Sequence, residues 1–210
     1  MWNRILSEFF GTALMVGLGC GSIALTDSAL IISAVFGIAV TIAILIFGRI
    51  SGAHINSAVS IAFWIHGDLE GKAVIPYIIA QLSGGLLAAY LIGPVGPTVV
   101  SNDITIATAA GIEIFITFML MASILLIVSR TENLFAIASL VGLTVAVLAF
   151  IFGRFTGASM NPARTFGPNL ISQQLDLLWM YFATCILGAS LASLYFYRIR
   201  FRPLPVSSLD

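Results

Sequence analysis

Two asparagines, Asn56 and Asn161, stand in similar surroundings, each just before a short apolar stretch. An asparagine before a helix caps it, because its side-chain oxygen accepts a backbone N–H. The amide nitrogen still carries two donor hydrogens. Either asparagine alone would be an ordinary helix cap, but a symmetric pair facing one lumen would offer hydrogen bonds to a water or a hydroxyl. The pair therefore predicts recognition of a neutral polar molecule rather than bond breaking.

The two asparagines belong to an internal repeat with a constant offset of 105 residues. Ile46–Ser60, IFGRISGAHINSAVS, and Ile151–Thr165, IFGRFTGASMNPART, are identical at eight of fifteen positions, and two further positions exchange Ser for Thr. The same offset relates Glu8 to Glu113. A carboxylate, a glycine-containing loop and an asparagine that recur in one register indicate that both halves of the chain build the same substructure.

The residues around each asparagine suit the start of a helix. The two motifs comprise Asn56, Ser57 and Ala58 in the first half and Asn161, Pro162 and Ala163 in the second. Proline fits the first helical turn, where its missing N–H is not needed, and serine takes that place in the first half. Gly52 and Gly157 precede the asparagines by four residues, and glycine tolerates the tight backbone that two meeting loops require. Two helix N-termini at one place would also oppose cations.

Three charged residues have two possible roles each. Glu8 and Glu113 lie within long apolar runs, and a carboxylate in a stretch that crosses a membrane is costly and usually faces the protein interior. Glu8 and Glu113 therefore either form a proton relay or accept backbone N–H groups of the glycine loops, and we expect the second role because buried backbone donors must be paired. Arg164 either binds a solute oxygen and opposes cations or extends its charge to the membrane interface.

Long apolar stretches must position these residues. The chain is 60% hydrophobic and 9% charged, with a mean hydropathy of +1.09, whereas soluble domains carry about 25% charged residues. Crossing a bilayer takes about 20 apolar residues. Six stretches qualify, approximately Ile5–Leu25, Ala29–Phe47, Ala73–Leu91, Ile104–Val128, Leu134–Phe152 and Leu177–Tyr197. Asn56–His66 and Asn161–Ile171 are too short to cross and predict re-entrant half-helices that border a conduit.

The predicted fold is an all-α membrane protein of six transmembrane helices plus two re-entrant half-helices. Each half contains three spans, so the second half is inverted relative to the first, and such repeats place their solute site near the midplane. We expect a single domain over 1–210, with repeats of about 4–97 and 104–200. Seven of the nine Lys and Arg residues fall on the side of the termini, which predicts cytoplasmic termini and a cytoplasmic tail over 201–210.

Composition argues against several other classes. The formal net charge is zero, so nothing points to nucleic acid. Cys20 and Cys185 lie in apolar runs and indicate buried thiols rather than a disulfide framework or a metal site. No catalytic set, metal cluster or phosphate loop is evident, so we expect neither an enzyme nor a cofactor.

These motifs resemble the aquaporins, or major intrinsic proteins. The resemblance runs from SEFFGT at Ser7–Thr12 to the last span, and its specific parts are GAHINSAVS at Gly52–Ser60 and GASMNPARTFGP at Gly157–Pro168. The motif context is nearest to bacterial nodulin-26-like proteins, with an aquaglyceroporin-like character. The resemblance implies a homotetramer in the plasma (inner) membrane, each subunit with its own pore. Ser57 departs from the usual Asn-Pro-Ala.

The family resemblance also implies a four-residue constriction near the outer mouth. Its members in this sequence would be Phe36, Ala149, Ala158 and Arg164. Strict water channels of the family usually have His where this chain has Ala149, so a wider opening is expected, suited to glycerol and to neutral hydroxides such as arsenous or boric acid. Thr165 stands where glycerol facilitators usually have Asp, which favours water. His54 either lines the cytoplasmic part of the pore or packs within its loop.

The resulting prediction is a passive channel for water and small uncharged polar solutes that excludes protons and ions. One alternative is a strict water channel. Another, from a different class, is a secondary transporter, because transporters also use inverted repeats and broken helices. A transporter would need a coupling-ion site at the midplane.

Overall fold

The computed structural model describes residues 1–197, and within that range the chain forms eight helices. Six of them are long and apolar enough to cross a membrane. They are α1 (Trp2–Ser22), α2 (Ala29–Ser51), α4 (Gly71–Ile92), α5 (Ile106–Arg130), α6 (Leu134–Thr156) and α8 (Leu178–Phe196). All six predicted spans are confirmed. The tail over 201–210, together with Arg198, Arg200 and Arg202, lies outside the described residues.

The main difference from the predicted bounds is at the ends of α2 and α6, which run about one turn beyond Phe47 and Phe152. The apolar run stops there because an arginine follows, but a polar side chain does not end a helix. Each helix instead ends at a glycine in the left-handed conformation, Gly52 with φ +87° and Gly157 with φ +74°.

The two short helices are α3 (Ser57–His66) and α7 (Pro162–Ile171), ten residues each. At about 1.5 Å per residue, such a helix covers only half of a bilayer core of about 30 Å. Most of their side chains are buried. The two predicted half-helices are therefore confirmed as separate elements within the helical bundle.

Helix packing repeats between the two halves of the chain. The pair α1 and α4 packs as α5 and α8 do, and α1 with α2 packs as α5 with α6 does. Helix α3 packs on α8 of the other half, just as α7 packs on α4. Helices α2 and α6, one from each half, also pack on each other. The two halves of the inverted repeat are thus held together by the α2–α6 contact and by the two exchanged short helices.

The outer surface of the long helices is apolar. Exposed side chains on it include Phe10, Leu30, Ile79, Phe135 and Trp179. Glu8 and Glu113 are instead buried inside, where their carboxylates bind the loops that precede α3 and α7. This arrangement, apolar outside and polar within, suits a bilayer as solvent.

Candidate functional site

Asn56 and Asn161 cap the two short helices in the same way. Asn56 has φ −154° and ψ 121°, and Asn161 has φ −154° and ψ 109°. The Oδ1 atom of Asn56 accepts the N–H of Ala58 at 2.9 Å, and Oδ1 of Asn161 accepts the N–H of Ala163 at 2.9 Å. Each oxygen is therefore used by its own helix, which fixes the direction of the amide nitrogen.

The amide nitrogens connect the two halves of the chain. Nδ2 of Asn56 donates to the carbonyl of Met160 at 2.8 Å, and Nδ2 of Asn161 donates to the carbonyl of Ile55 at 2.8 Å. The sequence predicts amide groups that face a lumen, and one hydrogen of each amide is used instead in this exchange between the loops. Nδ2 of Asn161 also lies 3.9 Å from Sδ of Met15, which is a weak acceptor.

Glu8 binds the loop that precedes α3. Its Oε1 accepts the hydroxyl of Ser51 at 2.7 Å and the N–H of His54 at 2.9 Å. Its Oε2 accepts the N–H of Ile55 at 2.6 Å and the amide of Gln81 at 2.7 Å. Four donors thus converge on one fully buried carboxylate, which supplies the acceptors that this loop lacks.

Glu113 has the same position relative to the loop that precedes α7. Its Oε1 accepts the hydroxyl of Thr156 at 2.7 Å and the N–H of Ser159 at 2.9 Å, and its Oε2 accepts the N–H of Met160 at 3.1 Å. The thiol of Cys185 lies 3.7 Å from Oε2. Both glutamates are fully buried, and neither belongs to the cavity lining described below.

The two loops have an unusual backbone that the sequence analysis did not anticipate. Besides the glycines, the non-glycine residues Ala53, Ile55, Ala158 and Met160 have positive φ values of 43–52°. Such values are uncommon outside glycine and persist where the surroundings hold them. The restraint comes from the hydrogen bonds of the loops to the two glutamates and from those that each asparagine amide donates to the opposite loop, at equivalent positions in both halves.

Several supporting residues were missed by the sequence analysis. Ser51 and Thr156 donate to the two glutamates, and they are one of the Ser/Thr exchanges of the repeat, which was a usable signal. Tyr77 donates to the carbonyl of Ser51 at 2.9 Å, and Tyr181 to the carbonyl of Thr156 at 2.8 Å. Each tyrosine hydroxyl thereby provides a hydrogen-bond donor for the backbone carbonyl of the last residue of a long helix.

A cavity of about 750 Å³ runs between the halves. Asn56 and Asn161 both line it. Asp68 lines one end, before α4, and Ser101 lines the other, after α4, so the cavity reaches toward both ends of a spanning helix. One wall is apolar and includes Val40, Ile44, Ile124, Val141 and Val145. The cavity thus combines many apolar side chains with a few polar groups.

All four residues of the predicted constriction line this cavity: Phe36, Ala149, Ala158 and Arg164. The Arg164 guanidinium carbon lies 5.0 Å from the centre of the Phe36 ring. Nη1 of Arg164 donates to the carbonyl of Gly96 at 2.8 Å, and the residue is only 6% exposed. The arginine therefore lies against the cavity instead of extending to the surface.

His54 has both of the roles predicted as alternatives, lining the cavity and packing within its loop. It lines the cavity, and it packs within its loop, with its ring stacked 4.7 Å from that of Phe63 and its Nδ1 3.1 Å from the Ser60 hydroxyl. Cys20 and Cys185 are buried free thiols that do not line the cavity. In residues 1–197 no cluster of three potential metal ligands is found.

Ser57→Pro should stabilise the protein. Ser57 is the first residue of α3, its buried hydroxyl has no hydrogen-bond partner within the described residues, and the preceding Asn56 is already extended, as a proline requires. We expect a gain of about 0.4–1 kcal/mol, seen as a Tm higher by about 1–4 °C in detergent. Ser57→Ala, which removes the hydroxyl without fixing φ, is the control, and a lower Tm for Ser57→Pro would contradict the prediction.

The fold and the site together define a membrane channel built from an inverted repeat. The family model for the major intrinsic proteins matches residues 1–196. The chain therefore belongs to the major intrinsic protein family, the aquaporin channels, which carry water and small solutes across membranes.

Individual relatives agree with this family. The chain is 33% identical to a "Probable aquaporin NIP-type" of Nicotiana alata, over 99% of this chain and 81% of that protein. It is 34% identical to aquaporin AqpM of Methanothermobacter thermautotrophicus, over 89% of this chain and 91% of that one. The X-ray structure of the aquaglyceroporin from Plasmodium falciparum superposes with a TM-score of 0.87 at 23% identity, covering 94% and 96% of the two chains. This last likeness concerns the fold.

Proposed function

We propose that this chain is a passive channel for water and small uncharged polar solutes, glycerol among them, and that it excludes protons and ions. The observation that carries the proposal is the pair of asparagines that line one cavity between the two halves, each donating a hydrogen bond to the loop of the other half. A molecule that passes this point can accept hydrogen bonds from the amide hydrogens that the exchange between the loops leaves over.

Electrostatics at the asparagine pair favours neutral molecules. Helices α3 and α7 begin at Asn56 and Asn161, so the positive ends of two helix dipoles lie at the same place. Arg164 adds a full positive charge to the same cavity. A cation would be repelled at both points, whereas a water or a hydroxyl can accept hydrogen bonds at each.

The constriction favours a solute with one apolar and one polar side. Ala149 and Ala158 occupy little space, while Phe36 offers an apolar ring and Arg164 offers donors. Glycerol has a carbon chain on one side and hydroxyls on the other, which matches this asymmetry and the apolar wall. Neutral hydroxides such as arsenous and boric acid match the donors equally. A strict water channel is the alternative, and it would require a narrower opening than two alanines provide.

Secondary transport is less well supported than passive conduction. A transporter needs a site for a coupling ion near the midplane. The two intramembrane carboxylates, Glu8 and Glu113, are each surrounded by donors from a loop. They are therefore occupied in holding those loops.

We further propose a homotetramer in the plasma (inner) membrane with cytoplasmic termini. Arg4, Arg49, Lys72 and Arg130 fall on the side of the termini, while Arg154 and Arg164 fall on the other. This distribution supports cytoplasmic termini. The tetramer is supported by membership of the family, in which each subunit holds its own pore.

The proposed function is tested in proteoliposomes by stopped-flow light scattering. Water, glycerol, urea and arsenous acid are compared, with and without a proton gradient. We expect conduction of water and glycerol above that of protein-free liposomes and no accumulation driven by protons. Water conduction without any glycerol conduction would establish the strict water channel instead, and proton-driven accumulation would establish a transporter.

A thiol placed in the constriction supplies an internal control. Ala158→Cys should make conduction of every solute sensitive to an organomercurial, because the reagent would fill the cavity beside Arg164. The wild-type protein should be insensitive, since Cys20 and Cys185 are fully buried and do not line the cavity. If the variant conducts equally well before and after the reagent, Ala158 does not border the conduction path.

A further inference from the structure

The position of Arg164 depends on a segment outside both repeated loops. Its Nη1 donates to the carbonyl of Gly96 at 2.8 Å, in the stretch 93–105 that connects α4 to α5. Gly96 has φ +68°, and a Cβ there would lie 2.8 Å from Cβ of Cys20, so only glycine fits. The carbonyl that holds the arginine is thus part of a tightly packed segment.

Two residues later, both backbone groups of Thr98 are bound by one side chain, that of Asn169 in α7. The N–H of Thr98 donates to Oδ1 of Asn169 at 2.8 Å, and Nδ2 of Asn169 donates to the carbonyl of Thr98 at 2.9 Å. The Thr98 hydroxyl donates to the same Oδ1 at 3.1 Å. Both residues are 1% exposed. One amide therefore pairs both backbone groups of Thr98 within the protein interior.

The same threonine also touches the loop that carries Ala158. A Cβ on Gly157 would lie 3.0 Å from Cα of Thr98. The Thr98 hydroxyl lies 3.1 Å from that of Thr165, which immediately follows Arg164. Two of the four constriction residues thus have neighbours that contact Thr98 directly.

We propose that Asn169 is a positioning residue that sets the solute-size limit of the constriction. It fixes Thr98, Thr98 fixes the carbonyl of Gly96, and that carbonyl holds the Arg164 guanidinium over the Phe36 ring. This inference deepens the proposed function and rests on it. We call the paired residues Thr98 and Asn169 the latch.

An amide is needed because the latch uses a donor and an acceptor together. Aspartate has nearly the same shape but no donor, so it would face the Thr98 carbonyl with a second acceptor. The carbonyl of Gln174, which accepts from the same Nδ2 at 3.0 Å, would also lose its partner. Alanine would leave the N–H and the carbonyl of Thr98 unpaired and buried.

The test compares Asn169→Asp and Asn169→Ala with wild type and with Thr98→Val, the matched control. The control removes the hydroxyl bonds but keeps both backbone bonds of the latch. The first readout is hydrogen–deuterium exchange of peptides covering 93–101. We expect exchange about tenfold faster in both Asn169 variants and little change in Thr98→Val, because local opening frees the paired amide.

The second readout is the ratio of permeability to a five-carbon polyol over permeability to glycerol, in proteoliposomes. A released Arg164 should raise this ratio about threefold or more in both Asn169 variants, with water permeability within about twofold of wild type. A general loss of structure would lower all permeabilities together and would not raise the ratio. Asn169→Asp is the milder variant if Asn169→Ala yields no folded protein.

The outcomes separate the latch from the proposed function. Unchanged exchange in both Asn169 variants would overturn the latch whatever the channel conducts. Faster exchange with an unchanged polyol ratio would overturn the role in solute size. Wild-type protein that conducts neither water nor glycerol would overturn the proposed function and with it the role in solute size, while exchange would still decide whether the latch exists.

Discussion

Ala149→His should lower glycerol permeability about tenfold or more, which corresponds to a barrier higher by about 1.4 kcal/mol, while water permeability falls by about threefold at most. Ala149 lines the cavity together with Phe36, Ala158 and Arg164. An imidazole there would fill the space that the methyl group leaves open. It would also supply a polar ring edge, so water would still find a hydrogen-bond partner where glycerol no longer fits.

Stopped-flow measurements on proteoliposomes with equal protein content decide this prediction. Ala149→Leu is the matched control, because it adds bulk without a polar group and should reduce water and glycerol together. Equal losses of water and glycerol in Ala149→His would show that the side chain at this position does not select between the two solutes. No loss of either would show that Ala149 does not face the permeating solute.

Glu113→Ala should prevent the protein from folding to a stable state. The change removes the acceptors for the N–H groups of Ser159 and Met160 and for the hydroxyl of Thr156. Each buried donor without a partner costs about 1–3 kcal/mol, so three of them remove a large part of a total stability of about 5–15 kcal/mol. Glu113→Gln should be intermediate, because its oxygen keeps some of these bonds while its NH2 group opposes the remaining N–H.

Yield from membranes, monodispersity in detergent and Tm report the effect. Glu132→Gln is the control, since Glu132 is exposed in the connection between α5 and α6 and should behave as wild type. A Glu113→Ala protein with the Tm and yield of the control would mean that the loop before α7 holds its backbone without the carboxylate.

The sequence predicts the architecture well because its signals are local or periodic. Span length follows from apolar runs, and the constant offset between Asn56 and Asn161 reveals the repeat. Even the last turns of α2 and α6, which lie beyond the apolar runs, have a sequence signal, because a glycine follows each of them. The helix bounds differ from the prediction mainly where an arginine interrupts hydropathy without ending the helix.

The contacts that complete the site have no such signal. The bond from Asn56 to the Met160 carbonyl spans 104 residues, and that from Asn169 to Thr98 spans 71. Their acceptors are backbone carbonyls, which every residue has, so the residue type at the acceptor position gives no sign of the bond. The positive φ values at Ala53 and Ile55 are likewise imposed by surrounding bonds. Reading residue types in order cannot reveal such features, because they depend on which segments the fold brings together.

The reciprocal bonds of the two asparagines also dictate the order in which the protein is completed during synthesis. The carbonyl that Asn56 needs belongs to a residue 104 positions downstream, which at typical elongation rates emerges about 5–20 s later. The first three spans therefore enter the bilayer with their half-helix still lacking its final anchor. Only the arrival of the last third of the chain can close the centre of the bundle.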